Sequence, residues 1–191
     1  NAIFTAIKLQ DKNPCHFILL HAFEPDTRNI SSHQNSVRAG TVHDAMRQDS
    51  MNKLEEALEI ISKVSNYDAH TFSVKAKSGD LATTISELIP KHDLDLIVMG
   101  TKGATGVKQI FLGSNTVRVL KKTRSCPILV VPKKYNFQVL KNIVLPTEYA
   151  HFFSKSQLNP LVELAKTWRS QLLIFHVSSS LYRLLVCFHA W

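Results

Sequence analysis

Short aliphatic runs separated by amphipathic stretches far too long to be turns are what most constrain this chain. The runs His16–Ala22, Leu94–Met99, Pro127–Val131 and Leu172–Val177 are apolar and rich in branched side chains, the pattern of buried strands. Between them, apolar residues recur at helical spacing: Met46, Leu54, Leu58 and Ile61 within 41–65, then Leu81, Ile85, Leu88 and Ile89. Asp80, following Gly79, predicts the N-cap of that second helix. Strands joined through helices pair in parallel, because a parallel neighbour needs a crossover rather than a hairpin. Strands without a polar face are covered on both sides. Right-handed crossovers then make an α/β, doubly wound parallel sheet.

The remaining elements fill in this order. Ala2, Ile3, Ala6 and Ile7 predict a helix over 1–11, residues 23–40 read as a loop on Pro25, Asn29, Asn35 and Gly40, and Thr71–Lys75 alternates like a strand. A helix is predicted over 114–123. The first element is thus a helix with no strand before it, whereas a doubly wound domain begins with a strand. After Pro132 the order restarts: a strand over 140–145, a helix over 154–168 with Leu158, Leu161, Val162 and Ala165 inward, and the strand at 172–177. Ala2–Lys8 matches Pro160–Lys166, and Phe17–His21 matches Leu172–His176, a weak internal repeat. The organisation expected is a domain over 1–134 lacking its first strand, then the start of a second, truncated domain over 135–191. The strand at 140–145 could fill the empty central slot, with Glu148 at its end. The apolar tail 181–191 stands where a polar loop is expected.

Composition narrows the class. With 191 residues, 45% hydrophobic and 20% charged, the chain reads as a globular protein. No apolar run approaches the ~20 residues needed to span a bilayer, so no membrane partner is expected. Asn1-Ala2-Ile3-Phe4 has neither an initiator Met nor the pattern of a signal peptide, which suggests the interior of a longer protein. Cys15, Cys126 and Cys187 are too few and scattered for a disulfide framework; they read as buried thiols of a reducing, cytoplasmic compartment. No close Cys or His pair suggests zinc. The net charge of +8 is densest at Lys121, Lys122, Arg124, Lys133 and Lys134, but exposed aromatics do not interleave with it, so nucleic acid is not the expected partner.

One loop carries chemistry. Gly100-Thr101-Lys102-Gly103, nine further residues, then Gly113-Ser114-Asn115-Thr116 links the strand ending at Met99 to the helix at 114. Glycines let backbone approach an anion, and the free N–H groups and dipole of a helix start favour one there. Gly106 is followed by Val107, not by the Lys of a Walker A loop, and the glycines follow a late strand rather than the first strand of a Rossmann fingerprint. Lys102 and Lys108 could add charge to the loop. Catalytic groups do not accompany it: the nine His residues are scattered, and His21 and His176 take equivalent places at strand ends.

The G-x-x-G, nine-residue, G-S spacing of Gly100, Gly103, Gly113 and Ser114, with the closing Cys126-Pro127-Ile128-Leu129-Val130-Val131-Pro132, resembles the universal stress protein family. The resemblance implies a strand order 3-2-1-4-5 of the adenine nucleotide α-hydrolase-like type. It implies ATP, with or without Mg, bound beyond the carboxyl ends of the strands. The amides of Gly103, Gly113 and Ser114 would surround the phosphates, the hydroxyls of Ser114 and Thr116 would reach phosphate oxygens, Asn115 would contribute its backbone, and Met99 would lie near the nucleoside. It also implies an acidic residue ending the first strand, for which the second half offers Glu148, and self-association through the strand at 127–131. The function implied is nucleotide-dependent switching in stress response or signalling. A slow ATPase or related enzyme, and an interaction domain that binds no nucleotide, remain as alternatives.

Overall fold

The computed structural model describes residues 1–24, 33–64, 69–101, 112–148, 152–176 and 187–189. The chain forms two compact units, Asn1–Asn136 and Phe137–Trp191.

In the first unit α1 (Ala2–Leu9) leads to β1 (Cys15–Phe23), α2 (His33–Val64) to β2 (His70–Ser78), α3 (Leu81–His92) to β3 (Ile97–Gly100), and α4 (Ser114–Lys122) to β4 (Ile128–Val131). β1 pairs in parallel with β2, from Cys15 opposite His70 to Phe23 opposite Ser78. β3 pairs in parallel with β4, from Ile97 opposite Ile128 to Gly100 opposite Val131. These alternating helices and parallel strands make a doubly wound α/β fold, and the two pairings are those of the order 3-2-1-4-5 with its first strand left out. Among the described residues no strand joins β1 to β3, so the unit holds two separate two-stranded sheets.

The core lies where α3 and α4 cover the strands. Ala82, Ile85, Ile89, Val119 and Cys126 are buried together, with Leu20, Leu94, Ile97, Met99 and Ile128 packed against them. On α2 the inward stripe is Ser50, Leu54 and Ile61, with Met46 and Leu58 half-buried. The Ser50 hydroxyl, 1% exposed, donates to the Met46 carbonyl at 2.7 Å, which lets a polar residue occupy an apolar stripe.

Three expectations are corrected. The loop over 23–40 holds only in part: residues 25–32 lie outside the described residues, and from His33 onward the chain is already helical. No proline interrupts 33–64, and Gly40, though a weak helix former, is one position in a 32-residue helix. The strand expected over 94–99 is displaced to Ile97–Gly100. Asp93 takes a left-handed conformation (φ 48°) and the Leu94 amide closes the helix onto Ile89 O at 3.1 Å, so the turn consumes Leu94–Leu96.

The second unit contains β5 (Asn142–Thr147), α5 (Lys155–Trp168), β6 (Gln171–His176) and β7 (Cys187–His189). β5 pairs in parallel with β6, and β7 lies antiparallel on the other side of β6. The third correction follows: β5 does not fill the slot beside β1, because its strand partner is β6. Ser154 opens α5 with a capping box, its side chain accepting from the Gln157 amide while Gln157 returns to the Ser154 amide. Of the tail 181–191, only 187–189 fall among the described residues.

Candidate functional site

The candidate site is the junction of β3 and α4. β3 ends at Gly100, which is exposed, and the Thr101 amide continues the ladder by donating to Val131 O at 3.0 Å. Gly113 is the N-cap of α4, with extended backbone (φ −62°, ψ 155°) and no side chain to cap the first turn. The amides that open an α-helix have no partner within it, and here no capping side chain or acidic residue competes for them. Ser114 and Asn115 are exposed.

Thr116 behaves differently from its two neighbours. It is 2% exposed, and its hydroxyl donates to the Gly100 carbonyl at 3.3 Å. That bond ties the first turn of α4 to the end of β3. A hydroxyl has one proton, and that of Thr116 is directed at the Gly100 carbonyl. Met99 is half-buried and packs against the core cluster. Thus Met99, Gly100, Gly113, Ser114, Asn115 and Thr116 are brought together at one strand end and one helix start. Gly103, Lys102 and Lys108 lie outside the described residues.

A charged cluster, which sequence spacing did not suggest, holds the other end of the arrangement. Gly79 (φ 123°) turns the chain out of β2, its amide donating to Phe23 O at 2.9 Å. This delivers Asp80 to the start of α3, where its carboxylate accepts from the Thr83 amide at 3.0 Å. The same carboxylate receives Arg118 at 2.5 Å and Lys122 at 3.2 Å, both from α4. The Arg118 hydrogen bond, followed by those of Thr83 and then Lys122, holds the Asp80 carboxyl well below the usual carboxylate range. Only the N-cap half of this cluster was readable in sequence; Arg118 and Lys122 are 38 and 42 residues away.

The surroundings of the two described thiols disfavour the thiolate. Cys126 is buried and Cys15 half-buried. Burial pushes both up, and the Asp95 carboxylate adds to it. Among the described residues no group of His, Cys, Asp or Glu could hold a metal ion, and no helix is long and apolar enough to cross a membrane. Glu148 follows β5 and lines a cavity of about 490 Å³ in the second unit, with Thr147, Phe152 and Phe153.

A cavity of about 700 Å³ lies between β1 and β3. Residues 15–20 and 96–100 line it, with Ala2, Ile3 and Ala6 of α1 and Ile85 and Leu88 of α3. It reaches Met99 and Gly100, so it opens alongside the candidate site.

Known proteins resemble this chain in sequence and fold. The model of the universal stress protein family matches residues 1–132. The chain is 40% identical over 79 residues to universal stress protein MJ0531 of Methanocaldococcus jannaschii, a match covering 41% of this chain and 46% of that protein. It is 35% identical over 89 residues to universal stress protein MJ0577 of the same organism, covering 44% of this chain and 53% of that one. The matches span about half the length of these curated relatives. The solved structure of universal stress protein UspA from Lactobacillus plantarum superposes with a TM-score of 0.55 at 18% identity, over 68% of this chain and 86% of that one, a likeness of fold. With the glycine spacing, the strand pairings and a family match over most of its length in agreement, the chain belongs to the universal stress protein family.

Proposed function

We propose that the first unit binds an adenine nucleotide, with ATP as the ligand, at the junction of β3 and α4. The observation that carries this reading is the uncapped start of α4. Gly113 supplies no side chain, no acidic residue stands in the first turn, and Ser114 and Asn115 are open to solvent. Such a helix start favours phosphate through its free amides and its dipole. The Ser114 hydroxyl and the Gly113 and Ser114 amides take the phosphates, Gly103 completing the loop. Met99 borders the nucleoside through the cavity beside it. Thr116 acts indirectly, by holding the helix start against Gly100. The family's glycine spacing supports the same assignment. In this reading the protein serves stress response as a nucleotide-occupied module rather than through turnover. The second unit is the beginning of a further copy of the same domain.

The test is a thermal and calorimetric titration with ATP, with and without Mg. A ligand at ~100 times its dissociation constant adds about 2.7 kcal/mol of stability. Gly113→Val, which sets a branched side chain over the amides, abolishes that shift. A wild-type chain whose melting ATP does not move refutes the proposal. Hydrolysis of labelled ATP that Gly113→Val removes would instead identify an enzyme.

A further inference from the structure

β1 and β2 bring three polar side chains together outside the nucleotide site. In their parallel register His16 lies opposite Thr71, and Ser73 follows two residues later on the same face. The His16 ring bridges the two hydroxyls: its Nδ1 lies 2.7 Å from Thr71 Oγ1 and its Nε2 lies 3.0 Å from Ser73 Oγ. His16 and Thr71 are exposed and Ser73 is half-buried, so the group stands at the surface. All three residues sit near the start of their strands, whereas Gly100, at the nucleotide junction, ends β3.

A neutral imidazole carries one N–H and one bare nitrogen. With the proton on Nδ1, His16 donates to Thr71 Oγ1, and its Nε2 accepts from the Ser73 hydroxyl. A serine hydroxyl on one histidine nitrogen, with the other nitrogen held by a third group, is the arrangement of an activated nucleophile. From this geometry we propose that Ser73 and His16 are the catalytic residues of an acyl-ester hydrolase site, with Thr71 as the positioning residue. The site is open at the surface, so its substrate is a small carboxylic ester with a good leaving group. This activity stands independently of nucleotide binding.

Lys75 supplies the charge that such a reaction needs. It lies two residues beyond Ser73 on the same face, an advance of about 6.6 Å, which a lysine side chain spans. Its ammonium and the His16 ring both act on His92, at the end of α3, so the ammonium stands on the side of the histidines. Burial first, then Lys75, Lys91 and His16, hold the His92 imidazole below the ordinary histidine value. Cations crowded at one point favour an oxyanion as it forms. In the first step Ser73 Oγ bonds to the ester carbonyl carbon while its proton passes to His16 Nε2, and Lys75 faces the carbonyl oxygen as that oxygen gains negative charge. The bond from this carbon to the alcohol oxygen then breaks, and the alcohol leaves with the proton from Nε2. Water gives a proton to Nε2 and attacks the acyl group on Ser73. The acid departs and the proton returns to Ser73 Oγ.

The experiment uses the full chain, a fluorophosphonate as a probe for activated serine and nitrophenyl acetate as the ester. The expected result is a fluorophosphonate adduct that mass spectrometry maps to Ser73 in the unmutated protein, a readout that needs no variant to fold. Ester hydrolysis should be lost in Ser73→Ala and fall about 100- to 10,000-fold in His16→Gln, the contribution of a positioned acid–base group. Thr71→Val should lower kcat while KM is kept, and Thr71→Ser, which retains the hydroxyl, should restore it. Three results overturn the proposal: adducts found only on lysines or cysteines, hydrolysis that Ser73→Ala leaves unchanged, or nitrogen NMR shifts that place the proton of neutral His16 on Nε2.

Discussion

Replacing Thr116 by Val tests how the helix start is held. The two side chains have nearly the same shape, and Thr116 is 2% exposed, so the substitution leaves no cavity and isolates the hydroxyl. What disappears is one bond of 3.3 Å from Oγ1 to the Gly100 carbonyl. A net intramolecular hydrogen bond contributes about 0.5–1.5 kcal/mol, and because Gly100 is exposed, water can replace the lost donor at its carbonyl, so roughly 1 kcal/mol is expected. The length, beyond the usual 2.7–2.8 Å of hydroxyl donors, argues against a larger value. For a protein of this size that lowers the melting midpoint by roughly 2–4 °C. Urea unfolding without nucleotide reads the stability, and titration with ATP reads the affinity. Thr116→Ser keeps the donor and serves as the control. The expected outcome is a loss of stability in the ligand-free protein with less than about a threefold loss of affinity, since less than about 0.7 kcal/mol reaches the amides. An unchanged urea midpoint together with a tenfold or larger loss of ATP affinity would refute the reasoning, because the hydroxyl would then serve the ligand and not the strand.

Two further outcomes follow from other parts of the first unit. Gly40 lies inside α2, exposed, and a Cβ there meets nothing within 4 Å; Gly40→Ala should therefore stabilise by about 0.4–1 kcal/mol, and a midpoint that falls would show that the helix does not continue through this position. Asp80 has its carboxyl depressed by Arg118, Thr83 and Lys122, so its contribution is complete above the ordinary carboxylate value and fades as pH falls from about 4 towards the depressed value. Asp80→Asn keeps an N-cap side chain but removes the charge, and denaturant midpoints taken from about pH 6 to pH 2 should decline less steeply in the variant than in the wild type; parallel declines would remove the ion pairs from the account.

What could be read from sequence was local. The Asp80 cap, the α3 stripe of Ile85, Leu88 and Ile89, and the β4 run each depend on neighbours within a turn or a strand, and each lies where spacing placed it. The start of α2 was hidden because residues such as Asn35 and Gly40 punctuate most chains, whereas here nothing crowds the glycine and no proline stops the helix. The start of β3 was hidden by Asp93, whose left-handed turn has no marker as plain as a glycine. The glycine loop pointed to the junction of β3 and α4, but not to the bond that ties its two sides together. That Thr116 faces Gly100 while Ser114 faces solvent depends on how a helix meets a strand 16 residues earlier. The partner of β5 was equally beyond local reading, since either of two similar strands could have taken it.

The pairing of β1 with β2 has a consequence for how this protein reaches its native state. His16 and Thr71, side by side in the sheet and hydrogen-bonded at 2.7 Å, are 55 residues apart in the chain. No hairpin can start such a pair, so the first bond must close a loop whose entropy is lost before any contact repays it. α2, which occupies most of that interval, shortens the effective search once it forms, because a helix advances only about 1.5 Å per residue. The 32 residues of α2 thereby become a rigid span of about 48 Å in place of a wandering coil. Mutations along α2 that touch neither sheet can thus change how fast the sheet assembles.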